Sequence, residues 1–266
     1  MRAEAELVPR LRAAGCVFAE DEAHLLLEAT DDADALEALI VRRVAGEPLE
    51  QVLGWAGFGG LRLHVEPGVF VPRHRTEFLA TVAAQFARDL AASRNGAPPV
   101  VVDLCCGIGA IGAKITDVAG PIDLVAADID AAAVRAARRN LEPRGAKVFE
   151  GDLYEALPDE LRGRVDVLAV NAPYVPTDEI ALMPPEARDH EARVALDGGR
   201  DGLDVHRRVA ASAARWLAPG GRLLIETSER QADTAADLMR QGGLVPRILH
   251  DEDEGTIVVG ALRSAR

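Results

Sequence analysis

The chain has 266 residues, 48% hydrophobic and 27% charged, which is enough to bury a core without disulfides or structural metal and excludes a collagen-like, wholly disordered or coiled-coil chain. Thirty Lys and Arg against 43 Asp and Glu give a formal net charge of -13, the wrong sign for nonspecific capture of phosphate backbones, so a dedicated duplex-DNA binder is disfavoured. The three cysteines, Cys16 and the adjacent Cys105 and Cys106, make no disulfide framework and fit a reducing cytoplasm, and neither an export signal nor a run of ~20 apolar residues is apparent.

Residues 1–54 read as a small helical bundle. Leu7, Val8 and Leu11 share one face before Gly15; a second helix opens on Asp21 and Glu22, acids that suit the positive end of its dipole. A third helix over 32–44 turns Leu36, Leu39 and Ile40 inward before Gly46. Residues 55–75 change character, with Gly57, Gly59, Gly60 and Gly68 around the alternating Leu61-Arg62-Leu63-His64-Val65, which predicts a β-hairpin connector. Residues 76–266 then form one α/β unit. A long amphipathic helix runs from Thr76 to about Arg94 and ends in the loop Asn95-Gly96-Ala97-Pro98-Pro99. The pattern next predicts strands over 100–104, 124–128, 147–152, 165–170, 222–226, 245–250 and 256–261, with helices over 110–118, 131–140, 203–217 and 229–241. Strands apolar on both faces alternating with helices predict a doubly wound, seven-stranded sheet. The acidic turn 251–255 between the last two strands is too short for a parallel crossover, so an edge strand is expected to be antiparallel.

Chemistry concentrates at the strand ends. In Asp103-Leu104-Cys105-Cys106-Gly107-Ile108-Gly109-Ala110 the glycines allow backbone to approach a ligand, and the following helix offers free N–H groups. The next strand ends in Asp128, an acid able to accept both hydrogen bonds of a ribose diol at the switch point of a doubly wound sheet. Alone, each element is an ordinary tight turn or a solvated carboxylate; the pairing is what points to a nucleotide. No P-loop is present, whereas Gly107-Ile108-Gly109-Ala110-Ile111-Gly112 satisfies Gly-x-Gly-x-x-Gly literally, so a dinucleotide stays open at this point. The fourth strand ends in Asn171-Ala172-Pro173-Tyr174, again where an open sheet places its site.

Asn171-Ala172-Pro173-Tyr174 resembles the Asn-Pro-Pro-Tyr motif of S-adenosylmethionine-dependent methyltransferases acting on amide or amino nitrogens. Glu47-Pro48-Leu49, Val52-Leu53-Gly54, Phe58-Gly59-Gly60, Val69-Phe70-Val71-Pro72-Arg73 and Thr76-Glu77 resemble the connector of HemK-type protein-(glutamine-N5) methyltransferases, which modify peptide chain release factors. Arg188-Asp189-His190-Glu191, Ala195-Leu196-Asp197-Gly198-Gly199, Asp201-Gly202-Leu203 and Pro219-Gly220-Gly221 continue the likeness, which covers residues 46–266; the first 45 match only in being helical.

The resemblance implies a Rossmann-like methyltransferase sheet, S-adenosylmethionine as cofactor, no metal, and a glutamine in the Gly-Gly-Gln motif of a release factor as acceptor, with neither membrane nor nucleic acid as a partner. It implies that Asp103 orients the cofactor's charged end, that the turn Cys105, Cys106, Gly107, Ile108 and Gly109 approaches it, and that Asp128 and Ile129 flank its ribose. Asp152 stands where the family contacts the adenine amino group and Leu153 where a side chain packs on the ring, with Asn171 shared between cofactor and acceptor. The catalytic set is Asn171, Ala172, Pro173 and Tyr174. A glutamine nitrogen is a poor nucleophile because its lone pair is delocalised into the carbonyl. Asn171 Oδ1 and the Ala172 carbonyl can accept its two hydrogens and aim the lone pair at the methyl carbon, while Tyr174 walls the acyl plane.

Three departures stand out. Ala172 replaces the family's first proline, Cys105 its first turn glycine, and His74-Arg75 a proline followed by an acid. Cys106-Gly107-x-Gly109 also resembles the turn of RNA methyltransferases. Two other readings are therefore carried: methylation of an adenine exocyclic nitrogen in RNA or DNA, which would call for a basic groove, and a cofactor-binding interaction module with weakened catalysis.

Overall fold

The structure, a computed structural model, describes residues 2–94, 97–251 and 255–263; Asn95 and Gly96 of the expected loop and 252–254 of the acidic turn lie outside them. Four helices open the chain: α1 (Arg2–Ala13), α2 (Ala19–Ala29), α3 (Ala33–Val44) and the short α4 (Leu49–Leu53). Leu7, Leu11, Ala23, Leu26, Ile40 and Val52 form a core of their own. Asp32 caps α3 by accepting the Ala35 N–H at 2.8 Å, which satisfies one of the free donors at that helix start. Arg43 is buried, bonded to Glu22 at 2.6 Å and to Glu186 at 2.7 Å, so an ion pair that would be costly to break ties this bundle to a helix far along the chain. The helix α4 has no counterpart in the sequence reading, because five residues are too few to show a 3.6-residue period.

The hairpin pairs β1 (Trp55–Phe58) with β2 (Leu61–His64) through Gly59-Gly60, whose φ angles of 55° and 83° suit a two-residue turn with both central residues left-handed. Buried Asn140 fixes the hairpin to the turn after the first strand of the large sheet. Its Oδ1 accepts the His64 N–H at 2.8 Å, and its Nδ2 donates to the carbonyls of His64 and Ile108, both at 2.9 Å. With every side-chain hydrogen of Asn140 used, its burial carries little desolvation cost.

The large unit then runs α5 (Thr76–Ser93), β3 (Val100–Leu104), α6 (Ala110–Ala119), β4 (Asp123–Asp128), α7 (Ala131–Leu141), β5 (Lys147–Glu150) and β6 (Val165–Val170). It continues through α8 (Pro185–His190), α9 (Asp204–Trp216), β7 (Leu217–Thr227), α10 (Ala232–Gln241), β8 (Val245–Asp251) and β9 (Gly255–Ala261). The seven strands lie in the order β5-β4-β3-β6-β7-β9-β8. Pairing is parallel from β5 to β7; β9 slots between β7 and the edge strand β8 and is antiparallel to both. Alternation along the strands feeds two cores. Val101 and Val167 face Leu79, Ile111 and Val134 on one side; Val102 and Leu168 face Val209, Trp216 and Met239 on the other. Strand β7 is longer than its apolar run because Leu217 still pairs with Val165, and Pro219-Gly220-Gly221 forms the register shift between them. The chain departs in opposite directions from β3, toward β4 and toward β6, which opens a crevice at their C-terminal ends.

Candidate active site

A cleft occupies that crevice. Its walls come from the turns after β3, β4, β5 and β6, from the connector, and from the segment between α8 and α9. Residues far apart in sequence thus meet because parallel strands deliver all their C-terminal turns to one edge of the sheet.

On one side, Asp128 binds the turn after β3 to the start of α7. Its Oδ2 accepts the Gly107 N–H at 2.8 Å and its Oδ1 accepts the Asp130 N–H at 2.9 Å, leaving one further lone pair on each oxygen. Burial raises the Asp128 pKa, with these backbone donors opposing it. Beside Gly107 the space is open: a Cβ built there would meet nothing within 4 Å. Cys105 and Leu153, with φ of 58° and 48°, are the only non-glycine residues with left-handed backbone among the described residues, and both line the cleft. Strain held at two wall positions is the pattern of a ligand site. Cys105 is half-buried and packs on the core beneath α9 and α10.

Asp152 also lines the cleft, but one of its oxygens is bound by Arg208 of α9 at 2.6 Å. The sequence reading missed Arg208, since an arginine on the polar face of an amphipathic helix carries no local signal.

Of the residues expected on the cofactor side, Cys105, Gly107, Asp128, Ile129, Asp152, Leu153 and Asn171 line the cleft. The other four do not line it. Asp103 is fully buried and accepts the Gly112 N–H at 2.8 Å. Cys106 is buried, its N–H on the Ala127 carbonyl at 3.0 Å, and Ile108 belongs to the core with its carbonyl on Asn140. Gly109, at φ 81°, faces Leu141, whose Cδ1 would lie 2.6 Å from an added Cβ. These four shape the turn from behind the wall.

Asn171, Ala172, Pro173 and Tyr174 all line the other side. Asn171 Nδ2 donates to buried Thr76 Oγ1 at 3.2 Å. The Tyr174 hydroxyl donates to Glu226 Oε1 at 3.0 Å, and burial raises its pKa. Arg75 reaches the same carboxylate at 3.4 Å and lies over the Tyr174 ring, 5.8 Å from its centre. Behind them His206 donates Nε2–H to the Glu226 carbonyl at 3.0 Å; burial lowers its pKa to about 4, so the ring is neutral near pH 7. Glu191 is a brace: its carboxylate accepts the Val71 N–H at 3.2 Å and two contacts from Arg73 at 2.7 Å. The neighbouring His190 carbonyl accepts from Gln51 of α4 at 3.2 Å, so the connector, the α8 segment and the helical bundle are hydrogen-bonded together. Among the described residues no group of three His, Cys, Asp or Glu is arranged to hold a metal.

Residues 61–186 match the family described as methyltransferase small domain. The chain is 38% identical over 231 residues to a protein of Streptomyces coelicolor named release factor glutamine methyltransferase, covering 87% of this chain and 76% of that protein. It is also 38% identical over 226 residues to a protein of Streptomyces pristinaespiralis named 4-amino-L-phenylalanine/4-methylamino-L-phenylalanine methyltransferase, covering 85% of this chain and 75% of that one. Among solved structures, a methyltransferase from Pyrococcus furiosus superposes with a TM-score of 0.57 at 15% identity, covering 85% of this chain and 98% of the other, a likeness of fold.

Proposed function

The chain belongs to the family of release factor glutamine methyltransferases, and on that premise we propose that it transfers a methyl group from S-adenosylmethionine to the side-chain amide nitrogen of a glutamine in the Gly-Gly-Gln motif of a peptide chain release factor. The observation that carries the reading is the placement of Asn171, Ala172, Pro173 and Tyr174 on one cleft wall, with Asn171 Nδ2 engaged by Thr76 so that Oδ1 is left for a ligand.

The residues present fit the cofactor. The open space beside Gly107 admits a ligand against backbone, the spare lone pairs of Asp128 suit a ribose diol, and Asp152 and Leu153 offer an acceptor and an apolar surface for adenine. When bound, S-adenosylmethionine supplies a methyl on a sulfonium, already an activated leaving group. The protein's share is positioning. Asn171 Oδ1 and the Ala172 carbonyl accept the two amide hydrogens, localise the nitrogen lone pair and strengthen their hold as positive charge grows there. Tyr174, its hydroxyl held by Glu226, keeps its ring against the acyl plane. Residues 1–54 form the recognition unit and 55–75 the connector. No helix among the described residues is long and apolar enough to cross a membrane, and we place the reaction in the cytoplasm, where the free thiols of Cys16, Cys105 and Cys106 stay reduced.

One observation favours a second acceptor class. Arg75 lines the cleft above Tyr174, where a cation would meet the carboxylate of a free amino acid such as the one in the name of the S. pristinaespiralis relative. The buried Glu226 already offsets that charge, which favours the neutral polypeptide amide. Incubation with methyl-labelled cofactor in whole lysate tests the proposal: label in protein supports it, and label confined to nucleic acid or small molecules rejects it.

A further inference from the structure

A carboxamide can show the cleft either end, and only one end is useful: an Asn171 turned the other way would present NH₂ to the hydrogens of the acceptor amide, donor against donor. We propose that Thr76 holds the Asn171 carboxamide in place for the acceptor and is a positioning residue for methyl transfer. Its hydroxyl oxygen accepts from Asn171 Nδ2 at 3.2 Å and leaves Oδ1 toward the acceptor. Thr76 is 2% exposed, so water does not compete for that oxygen. It opens α5, and its own N–H donates to the Arg73 carbonyl at 3.0 Å. Arg73 is in turn held by the buried Glu191 carboxylate at 2.7 Å. The hydroxyl is therefore carried on a stretch of backbone anchored through Arg73 to Glu191, and its position does not depend on the acceptor motif it holds.

The sequence offers no hint of this pairing, because Thr76 and Asn171 are 95 positions apart and a threonine at a helix start reads as a cap. Thr76 caps nothing: the residue before it, Arg75, is the N-cap and makes no side-chain cap bond.

The kinetic arm of the test rests on the glutamine-methylation reading. Thr76→Val keeps the shape and removes the acceptor, so kcat for transfer to a release factor is expected to fall roughly tenfold to a hundredfold as the half-buried Asn171 amide loses its partner. Cofactor affinity is expected to stay unchanged and Thr76→Ser to recover most of the loss; Thr76→Ala serves if the valine variant does not fold. The second arm needs no acceptor. In ¹⁵N-labelled protein the Asn171 side-chain NH₂ resonances, assigned by their loss in Asn171→Ala, are expected to shift in Thr76→Val and to stay near their wild-type positions in Thr76→Ser. Unmoved resonances in the folded valine or alanine variant, or a kcat within about twofold of wild type, would overturn the proposal. Should wild-type protein methylate no release factor, the functional reading falls and the NH₂ resonances alone decide the Thr76 contact.

Discussion

Gly112 donates its backbone N–H to Asp103 Oδ2 at 2.8 Å, while Asp103 Oδ1, equally buried, has no partner among the described residues. Burial is the dominant influence on this carboxyl and pushes its pKa up to about 8, against the pull of the Gly112 bond and with some help from the Asp128 charge. Between the ordinary value of 3.8 and about 8, the folded protein keeps a proton that the unfolded chain releases, so Asp103 destabilises the fold progressively as pH rises through that window. Its contribution is most favourable at the acid end and is lost by about pH 8. Relative to Asp103→Asn, wild-type stability in denaturant melts is expected to fall by on the order of a few kcal/mol from about pH 5 to about pH 8. Using the difference removes His206, which acts oppositely: its depressed pKa makes stability rise with pH up to about 6.5. Parallel pH profiles for the two proteins would show that Asp103 is ionised throughout.

Cys105 holds a left-handed backbone at φ 58°. That conformation costs a side-chain-bearing residue ~1–2 kcal/mol and glycine almost nothing, though glycine gives back ~0.5–1 kcal/mol through its freer unfolded chain. Cys105→Gly is accordingly expected to stabilise the protein by about 0.5–1 kcal/mol in urea titration, less whatever the thiol contributes by packing. A loss of more than about 1 kcal/mol would mean that packing outweighs strain here.

The sheet was largely legible because strands such as Val100–Leu104 and Val165–Val170 are apolar on both faces and recur between amphipathic helices. The insertion of β9 between β7 and β8 was not, since pairing order depends on which faces are left uncovered rather than on any one strand's pattern. In the site, the turn glycines and the Asn171 motif carry local signatures. Arg208 reaches the cleft, and Thr76 reaches Asn171 on its wall, only through the fold. Asp103, Cys106 and Ile108 belong to the same turn with their side chains buried behind it, and Gly109 is held close against Leu141 of α7, which local sequence does not show.

Residues 1–54 hold five Arg against twelve Asp and Glu, a net of -7 out of -13 for the whole chain. If this bundle is the recognition unit, its partner presents a basic face, and their attraction is screened by salt. Affinity for a release factor, measured by calorimetry between about 0.05 and 0.5 M salt, is expected to weaken by about tenfold or more, mostly through slower association. Affinity independent of salt would place recognition elsewhere.

Mass spectrometry of a peptide chain release factor incubated with this protein and S-adenosylmethionine addresses the central claim most directly. One added methyl on the glutamine of Gly-Gly-Gln is expected, and none when Asn171→Ala replaces the wild-type protein although it still binds cofactor. An unmodified glutamine beside a methylated free amino acid or a methylated adenine would contradict the account.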